Sequence, residues 1–136
     1  MSADNNLEVV IEYFRRMTDR DITGTFELLD DEGTWWQNGR RFEVPMFEFK
    51  LGAESTLKMM PMKFTVVSAL AKGDKVVAEV ESHAENPDGG HYNNVYCFVF
   101  TMADGRIVHV RQYADTAHAG GLPERIRSLN RHAGPK

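Results

Sequence analysis

The segment Tyr92–His118 constrains the fold of this chain more than any other stretch of its sequence. Two runs rich in Val, Phe, Tyr and Ile flank the short segment Ala103–Arg106, which has Asp and Gly where the chain must reverse. This arrangement is typical of two antiparallel strands joined by a tight turn. The sequence therefore predicts a long β-hairpin, and any fold for the chain must place that hairpin in a sheet.

Apolar residues at helical spacing mark the first half of the chain. One helix is predicted over Leu7–Met17, and a shorter helix is predicted to begin at Asp21. A short strand is expected at Thr34–Trp36. A third helix is expected over Ala53–Met60, where Pro61 ends it.

The second half of the chain consists of strand patterns separated by turn residues. Gly, Pro, Asn and Asp fill the joints between them. Four strands are predicted: Met62–Ala71, Lys75–Glu85, His91–Met102 and Arg106–Thr116. Three helices followed by antiparallel strands indicate an α+β fold. At 136 residues the chain is expected to be one domain, 1–136, with a C-terminal tail over 120–136 in which a short helix is one alternative.

Side-chain alternation predicts which face of the sheet is buried. In two of the predicted strands the even positions are apolar or small, whereas the odd positions carry Glu, His, Arg and Tyr. Burying Glu79, Glu81 and Arg111 would be costly unless every charge were paired, so the even face should be the inner one. The predicted inner wall contains no Asp, Glu or His.

The segment Gly39–Leu51 is unusually apolar for a connection between elements. It carries five large apolar residues around Pro45, too many to leave in water. Two interpretations stay open. The segment is either a lid over the mouth of a pocket or a plug that belongs permanently to the core.

The hairpin, together with the Asp21–Asn38 stretch, resembles the SnoaL-like and ketosteroid-isomerase-like branch of the nuclear transport factor 2-like superfamily. The resemblance covers nearly the whole chain. It implies a cystatin-like cone, in which three N-terminal helices pack on a curved, mostly antiparallel sheet that encloses a pocket. It implies the fold more firmly than the reaction, because this superfamily hosts many unrelated activities.

The resemblance also bears on individual residues. Tyr13 lies eight residues before Asp21, the spacing at which ketosteroid isomerases place the tyrosine that donates to the substrate oxygen. An ordinary half-buried helix residue is the alternative for Tyr13. Trp36 and Tyr96 stand where those isomerases have their two acidic groups, which argues against steroid isomerisation by the same mechanism.

A more distant similarity links Thr34–Asn38 to the limonene-epoxide hydrolases. Asn38 matches a residue that holds the attacking water, and Trp36 replaces the tyrosine beside it. The positions of that family's arginine and two aspartates are taken here by Val80, Ser82 and Gln112. Gln112 can orient a water but cannot take its proton at neutral pH.

These observations predict a pocket for a small hydrophobic ligand. Its contact surface is expected to come from Trp35, Trp36, Val80, Ser82, Phe98, Phe100 and Val110, with Tyr13, Asn38, Tyr96 and Gln112 as polar groups. Tyr13 and Tyr96 would polarise a carbonyl, Gln112 would assist, and a base would come from Glu43, Glu48 or the strand ends. One hypothesis is an isomerase, cyclase, dehydratase or hydrolase. The other is a binding protein or accessory subunit without catalysis.

Composition limits the partners of the chain. A net charge of −4 with no basic face argues against nucleic acid. The histidines show no metal-ligand spacing, so no metal or cofactor is expected. One cysteine, no signal sequence and no apolar run of membrane length predict a cytoplasmic protein that does not bind membranes. The outer face of the sheet, with His83, His109, Arg111 and Tyr113, is expected to form a homodimer contact.

Overall fold

The structure, a computed structural model, describes residues 2–40, 42–85 and 89–115. Its elements are α1 (Ala3–Thr18), α2 (Ile22–Glu27), β1 (Leu29–Gln37), β2 (Val44–Pro45), α3 (Met46–Met59), β3 (Met62–Lys72), β4 (Lys75–Glu85), β5 (His91–Ala103) and β6 (Arg106–Ala114). The six strands form one curved sheet in the order β2-β1-β6-β5-β4-β3. Only the β1–β6 pair is parallel, so the predicted α+β architecture with a mostly antiparallel sheet is confirmed.

Helix α1 lies against the inner face of the sheet and supplies the centre of the core. The Ser2 hydroxyl caps its first turn by accepting a hydrogen bond from the backbone N–H of Asn5. Val10, Tyr13 and Phe14, spaced for one helix face, are almost fully buried. At the other end of α1, Thr18 exchanges two hydrogen bonds with the backbone of Phe64 on β3, which fixes the helix to the sheet.

The β5–β6 hairpin forms as the sequence predicts. Its turn contains Asp104 and Gly105, both with positive φ, and this backbone matches the twist of the paired strands. Burial alternates strictly along β4, with the even positions inside. On β6, Val110 is buried and Arg111 is exposed, as predicted, but a register shift against β5 buries the odd position Ile107 at the start of the strand.

Three elements begin earlier than predicted, the first of them α1, which starts at Ala3. Strand β1 starts at Leu29 and includes the acidic stretch before Thr34, because an irregularity in its pairing with β6 leaves those acidic side chains outside the core. Helix α3 starts at Met46, within the segment predicted to be a loop. Met46 is fully buried, and Phe49, three residues later, packs on the core. This is helical spacing, although the sequence pattern resembles an irregular apolar cluster.

The expectation that all the large apolar residues of Gly39–Leu51 are buried is wrong. Phe42, Phe47 and Leu51 are 57–70% exposed on the outward side of this segment. Only Met46 is fully buried, and Phe49 is partly buried. Phe47 and Leu51 lie in α3, which has one core-facing side and so cannot bury every apolar residue that it carries, whereas Phe42 precedes the helix.

Thr116, the end of the predicted last strand, and the tail over 120–136 lie outside the described residues. In the part of the chain that the structure describes, no helix is both long and apolar enough to cross a membrane.

Candidate active site

A cavity of about 610 Å³ lies between α1, α3 and the inner face of the sheet. Its wall is mainly aromatic, with Phe14, Trp35, Phe64, Tyr96 and Phe98 among the lining residues. The rings contact one another in edge, tilted and stacked pairs. A cavity of this size and composition fits one small hydrophobic molecule.

The hydroxyl group of Tyr13 has no hydrogen-bond partner, although it is fully buried and its residue lines the cavity. Burial raises the pKa of the Tyr13 phenol well above its ordinary value, so the group stays neutral and keeps its proton. A buried hydroxyl without a partner destabilises the protein by about 1–3 kcal/mol. An oxygen atom of a bound ligand would supply the missing acceptor.

Gln112 presents a second donor to the cavity. Its Oε1 accepts hydrogen bonds from Trp35 Nε1 at 3.0 Å and from Gln37 Nε2 at 3.2 Å. The indole nitrogen can only donate, so this contact fixes the orientation of the Gln112 amide. The amide nitrogen of Gln112 makes no hydrogen bond within the described residues, which leaves its N–H groups for a ligand acceptor.

Two tyrosines of β5 form a polar end to the cavity. Tyr96 shares a 2.8 Å hydrogen bond with the hydroxyl of Ser82, and Tyr92 accepts one from Nδ2 of Asn94 at 2.8 Å. Burial raises the pKa of Tyr96 despite the opposing effect of the Ser82 hydrogen bond. The Tyr96 hydroxyl is therefore neutral, able to donate or accept.

Charged groups occur only at the mouth of the cavity among its described lining residues. These are Arg40, which follows β1, and Glu48 in the first turn of α3; both side chains are exposed. No strand contributes an Asp, Glu or His to the described lining, as the alternation of the strands predicts. The expected carboxylate-free wall therefore applies to the sheet, whereas helix α3 brings Glu48 to the rim.

Residues 10–110 match the sequence model of the SnoaL-like domain. The chain belongs to the SnoaL-like family. The family resemblance expected from the sequence is thereby confirmed, and the match covers most of the chain. No curated protein sequence matches it significantly.

Three solved structures illustrate how many activities are attached to this SnoaL-like fold. A protein from Bacillus subtilis provisionally described as an isomerase aligns with a TM-score of 0.74 at 21% identity, over 89% of this chain and 97% of that one. An LEH-like epoxide hydrolase of M. tuberculosis aligns with a TM-score of 0.76 at 17% identity, over 93% and 96%. A protein from Xanthomonas campestris provisionally described as a polyketide cyclase aligns with a TM-score of 0.77 at 17% identity, over 86% and 95%. At such identities the likeness shows the fold alone.

Five of the predicted site residues line the cavity of this SnoaL-like protein: Tyr13, Trp35, Tyr96, Phe98 and Gln112. Ser82 lies one layer behind, where it holds the Tyr96 hydroxyl. The placement of Val80, Phe100 and Val110 in the ligand surface is wrong. They are 0–2% exposed within the core, because alternation gives the inner face without distinguishing packed positions from open ones.

The placement of Trp36 and Asn38 in the pocket is also wrong. Adjacent strand residues point to opposite faces, so Trp35 and Trp36 cannot both face inward. Trp36 lies on the outer face, where the guanidinium carbon of Arg111 is 3.8 Å from its ring centroid. Asn38 exchanges two 3.0 Å hydrogen bonds with the backbone of Ala114 and so extends the β1–β6 pairing instead of holding a water.

Gln37 and Tyr92 are absent from the predicted site, although the strand pattern places both on the inner face. Gln37 is two residues from Trp35, and Tyr92 is four residues from Tyr96, so alternation places each pair on one face. The sequence predicts Glu48 as a candidate base, but within a loop. Its position in the first turn of α3 aims it at the cavity mouth, and its alternative, Glu43, does not line the cavity.

The structure also brings together His83, Glu85 and His91, whose potential ligand atoms all lie within 4.8 Å of one another. Histidine spacing along the chain does not reveal this cluster, because it is built from residues i and i+2 of one strand and a partner across the hairpin.

We expect the substitution Gln112→Leu to lower the free energy of unfolding by about 1–3 kcal/mol, because it removes the acceptor for the buried Trp35 N–H and the Gln37 amide. Urea denaturation measures this change. The matched control is Arg106→Leu at an exposed position of the same strand, where the change should stay within about 0.5 kcal/mol. Equal effects at the two positions would contradict the assigned role of Gln112.

Proposed function

We propose that this protein is an enzyme that binds a small, hydrophobic, carbonyl-bearing metabolite and stabilises negative charge on the carbonyl oxygen. One observation carries the proposal: Tyr13 lines an aromatic cavity, and its neutral hydroxyl is fully buried and has no hydrogen-bond partner. A donor held in place before the ligand arrives needs no reorganisation when charge develops, which makes such groups effective in catalysis.

The donors bordering the cavity favour chemistry through an enolate. Tyr13 and Gln112 line the same cavity, and in the proposed complex their hydroxyl and amide groups donate to the ligand oxygen. Removing a proton from the carbon beside a carbonyl creates an enolate, whose charge these donors would stabilise. Returning the proton at another carbon gives an isomerase, and attack of the enolate on a second carbonyl of the same molecule gives a cyclase.

Glu48 is the carboxylate best placed to act as the base, because it is the one among the described residues that lines the cavity. We expect Glu48→Gln to slow exchange of a bound ketone's α-protons with deuterated solvent by about 10²-fold, since a positioned base contributes at least this much. Proton NMR follows the exchange, and ligand affinity should not change. Glu43→Gln is the matched control, because Glu43 is exposed and outside the cavity lining.

The second candidate is a binding protein or accessory subunit without catalysis. Among the described lining residues, none that belongs to a strand carries a carboxylate or an imidazole, and this favours a binding protein. The same experiment separates the two candidates. If the protein binds the ketone without accelerating α-proton exchange, Tyr13 is a binding group only.

A pair of ligands that differ by one oxygen tests the proposed role of Tyr13. The probes are α-tetralone and tetralin, a bicyclic ketone and its parent hydrocarbon. The variant Trp36→Phe removes the outer tryptophan, so that fluorescence reports on Trp35, which stacks on Phe49 at 3.6 Å beside the cavity. We expect the ketone to bind about tenfold more tightly than the hydrocarbon, and Tyr13→Phe to remove that preference. A preference that survives Tyr13→Phe would refute the proposal.

We also propose that two copies associate through the outer face of the sheet. This face exposes Val77, Val95 and Tyr113 beside the stacked Trp36 and Arg111, a mixed apolar and cationic surface that suits a two-fold contact.

A cytoplasmic location stays a prediction from the sequence.

The expected solution mass is twice the 15.5 kDa of one chain. Arg111→Glu should shift the protein towards the monomer, because it places a carboxylate over the Trp36 ring. Sedimentation equilibrium measures both masses. Lys72→Glu, at an exposed position at the end of β3, is the charge-matched control. A monomeric wild-type protein at micromolar concentration would contradict the proposed dimer.

A further inference from the structure

We propose that His83, Glu85 and His91 form a binding site for one Zn²⁺ ion on the outer face of the sheet. Their candidate ligand atoms lie within 4.8 Å of one another, and all three side chains are exposed. Two imidazoles and one carboxylate are a donor set that suits zinc, and they leave a coordination position for water. The site is separate from the cavity and does not depend on the proposed function.

The register of the sheet builds this cluster. His83 and Glu85 are two residues apart on β4, so their side chains leave the same face of the sheet. Across the hairpin, His91 pairs with Glu85, and Asn93 pairs with His83. The imidazole rings of His83 and His91 are roughly parallel, with centroids 5.4 Å apart. Zinc ligands in a tetrahedral site are roughly 3.3 Å apart, so small side-chain rotations close the cluster around an ion.

Asn93 supplies a second, independent feature of a metal site. Its Oδ1 is 2.5 Å from Nδ1 of His83, and because an amide oxygen only accepts, Nδ1 must carry the proton. The unprotonated nitrogen of His83 is then Nε2, which is free to coordinate an ion. Histidine ligands of zinc are commonly held in this way, with the other ring nitrogen donating to an oxygen acceptor.

The cluster lies directly behind the polar end of the cavity. Tyr92, between His91 and Asn93, points to the opposite face and lines the cavity. A bound ion would link β4 to β5 at the end of their hairpin and so hold the strand segment that carries Tyr92. Because zinc would bind the folded chain, it should raise the thermal midpoint of unfolding.

The test uses untagged full-length protein that has been stripped of metal with a chelator and then dialysed. Zinc is titrated in competition with a chromophoric zinc indicator. We expect one ion per chain, a loss of at least tenfold in affinity for His83→Ala and for His91→Ala, and a loss of about tenfold for Asn93→Ala. His109→Ala removes an exposed histidine from the same face and should leave the affinity unchanged.

Two further measurements keep this test decisive. The thermal midpoint of each metal-free variant shows whether the variant folds like the wild-type protein. Nitrogen-15 NMR of the imidazole rings should show zinc-dependent shifts for His83 and His91 and none for His109. Binding that is equally tight in His83→Ala and His91→Ala, or no stoichiometric binding by the wild-type protein, would overturn the proposal.

Discussion

The variant Tyr13→Phe should be more stable than the wild-type protein and far less active. Loss of the unpaired hydroxyl should raise the free energy of unfolding by about 1 kcal/mol, because a buried donor without a partner opposes folding. Loss of the donor should lower the rate of ketone α-proton exchange by about 10²-fold. Urea denaturation and proton NMR measure the two quantities.

Tyr96→Phe is the control for this prediction, because its hydroxyl is partly buried and has a partner in Ser82. That substitution should lower the free energy of unfolding by about 1 kcal/mol. The account requires opposite signs at the two tyrosines. If Tyr13→Phe destabilises the protein as Tyr96→Phe does, the Tyr13 hydroxyl has a protein partner and is not held for a ligand.

The variant Gly33→Ala should lose at least about 3 kcal/mol of stability. A Cβ atom at Gly33 would lie 1.8 Å from the backbone oxygen of Val108 on β6, and backbone atoms cannot move aside as a flexible side chain can. Gly33 lies where the β1–β6 pairing is irregular, so any shift would disturb the only parallel pair of the sheet. The midpoint of urea denaturation reports the loss.

Gly52→Ala provides the matched control for the same chemical change. No heavy atom lies within 4 Å of the Cβ position at Gly52, which is inside helix α3. Alanine should therefore stabilise the protein by about 0.5–1 kcal/mol, since glycine is unfavourable within a helix. Similar stability of the two variants would show that β1 does not approach β6 as closely as described.

The sequence predicts strands β4, β5 and β6 better than it predicts helix α3. Turn residues define β4, β5 and β6, and alternation along them correctly places Phe98 and Gln112 on the inner face. The start of α3 was missed because an apolar cluster with Pro45 resembles a loop. The helical spacing becomes clear only once Met46 is known to be buried and Phe47 exposed.

Site residues are harder to predict than the fold because the two sides of the cavity are distant in sequence. Alternation shows that Val110 and Gln112 share a face, but only the packing of α1 and α3 shows which of them borders open space. The missing partner of the Tyr13 hydroxyl is likewise invisible in the sequence, since it depends on every atom around that group.

The most direct test of the central claim is the carbon-13 NMR signal of the carbonyl group in labelled α-tetralone bound to the protein. A hydrogen bond from the Tyr13 hydroxyl would withdraw electron density from the carbonyl carbon and move its signal downfield from the position in a hydrocarbon solvent. We predict a downfield shift in the wild-type complex that is largely lost in the Tyr13→Phe complex. The same signal position in both complexes would contradict the claim that Tyr13 holds the ligand oxygen.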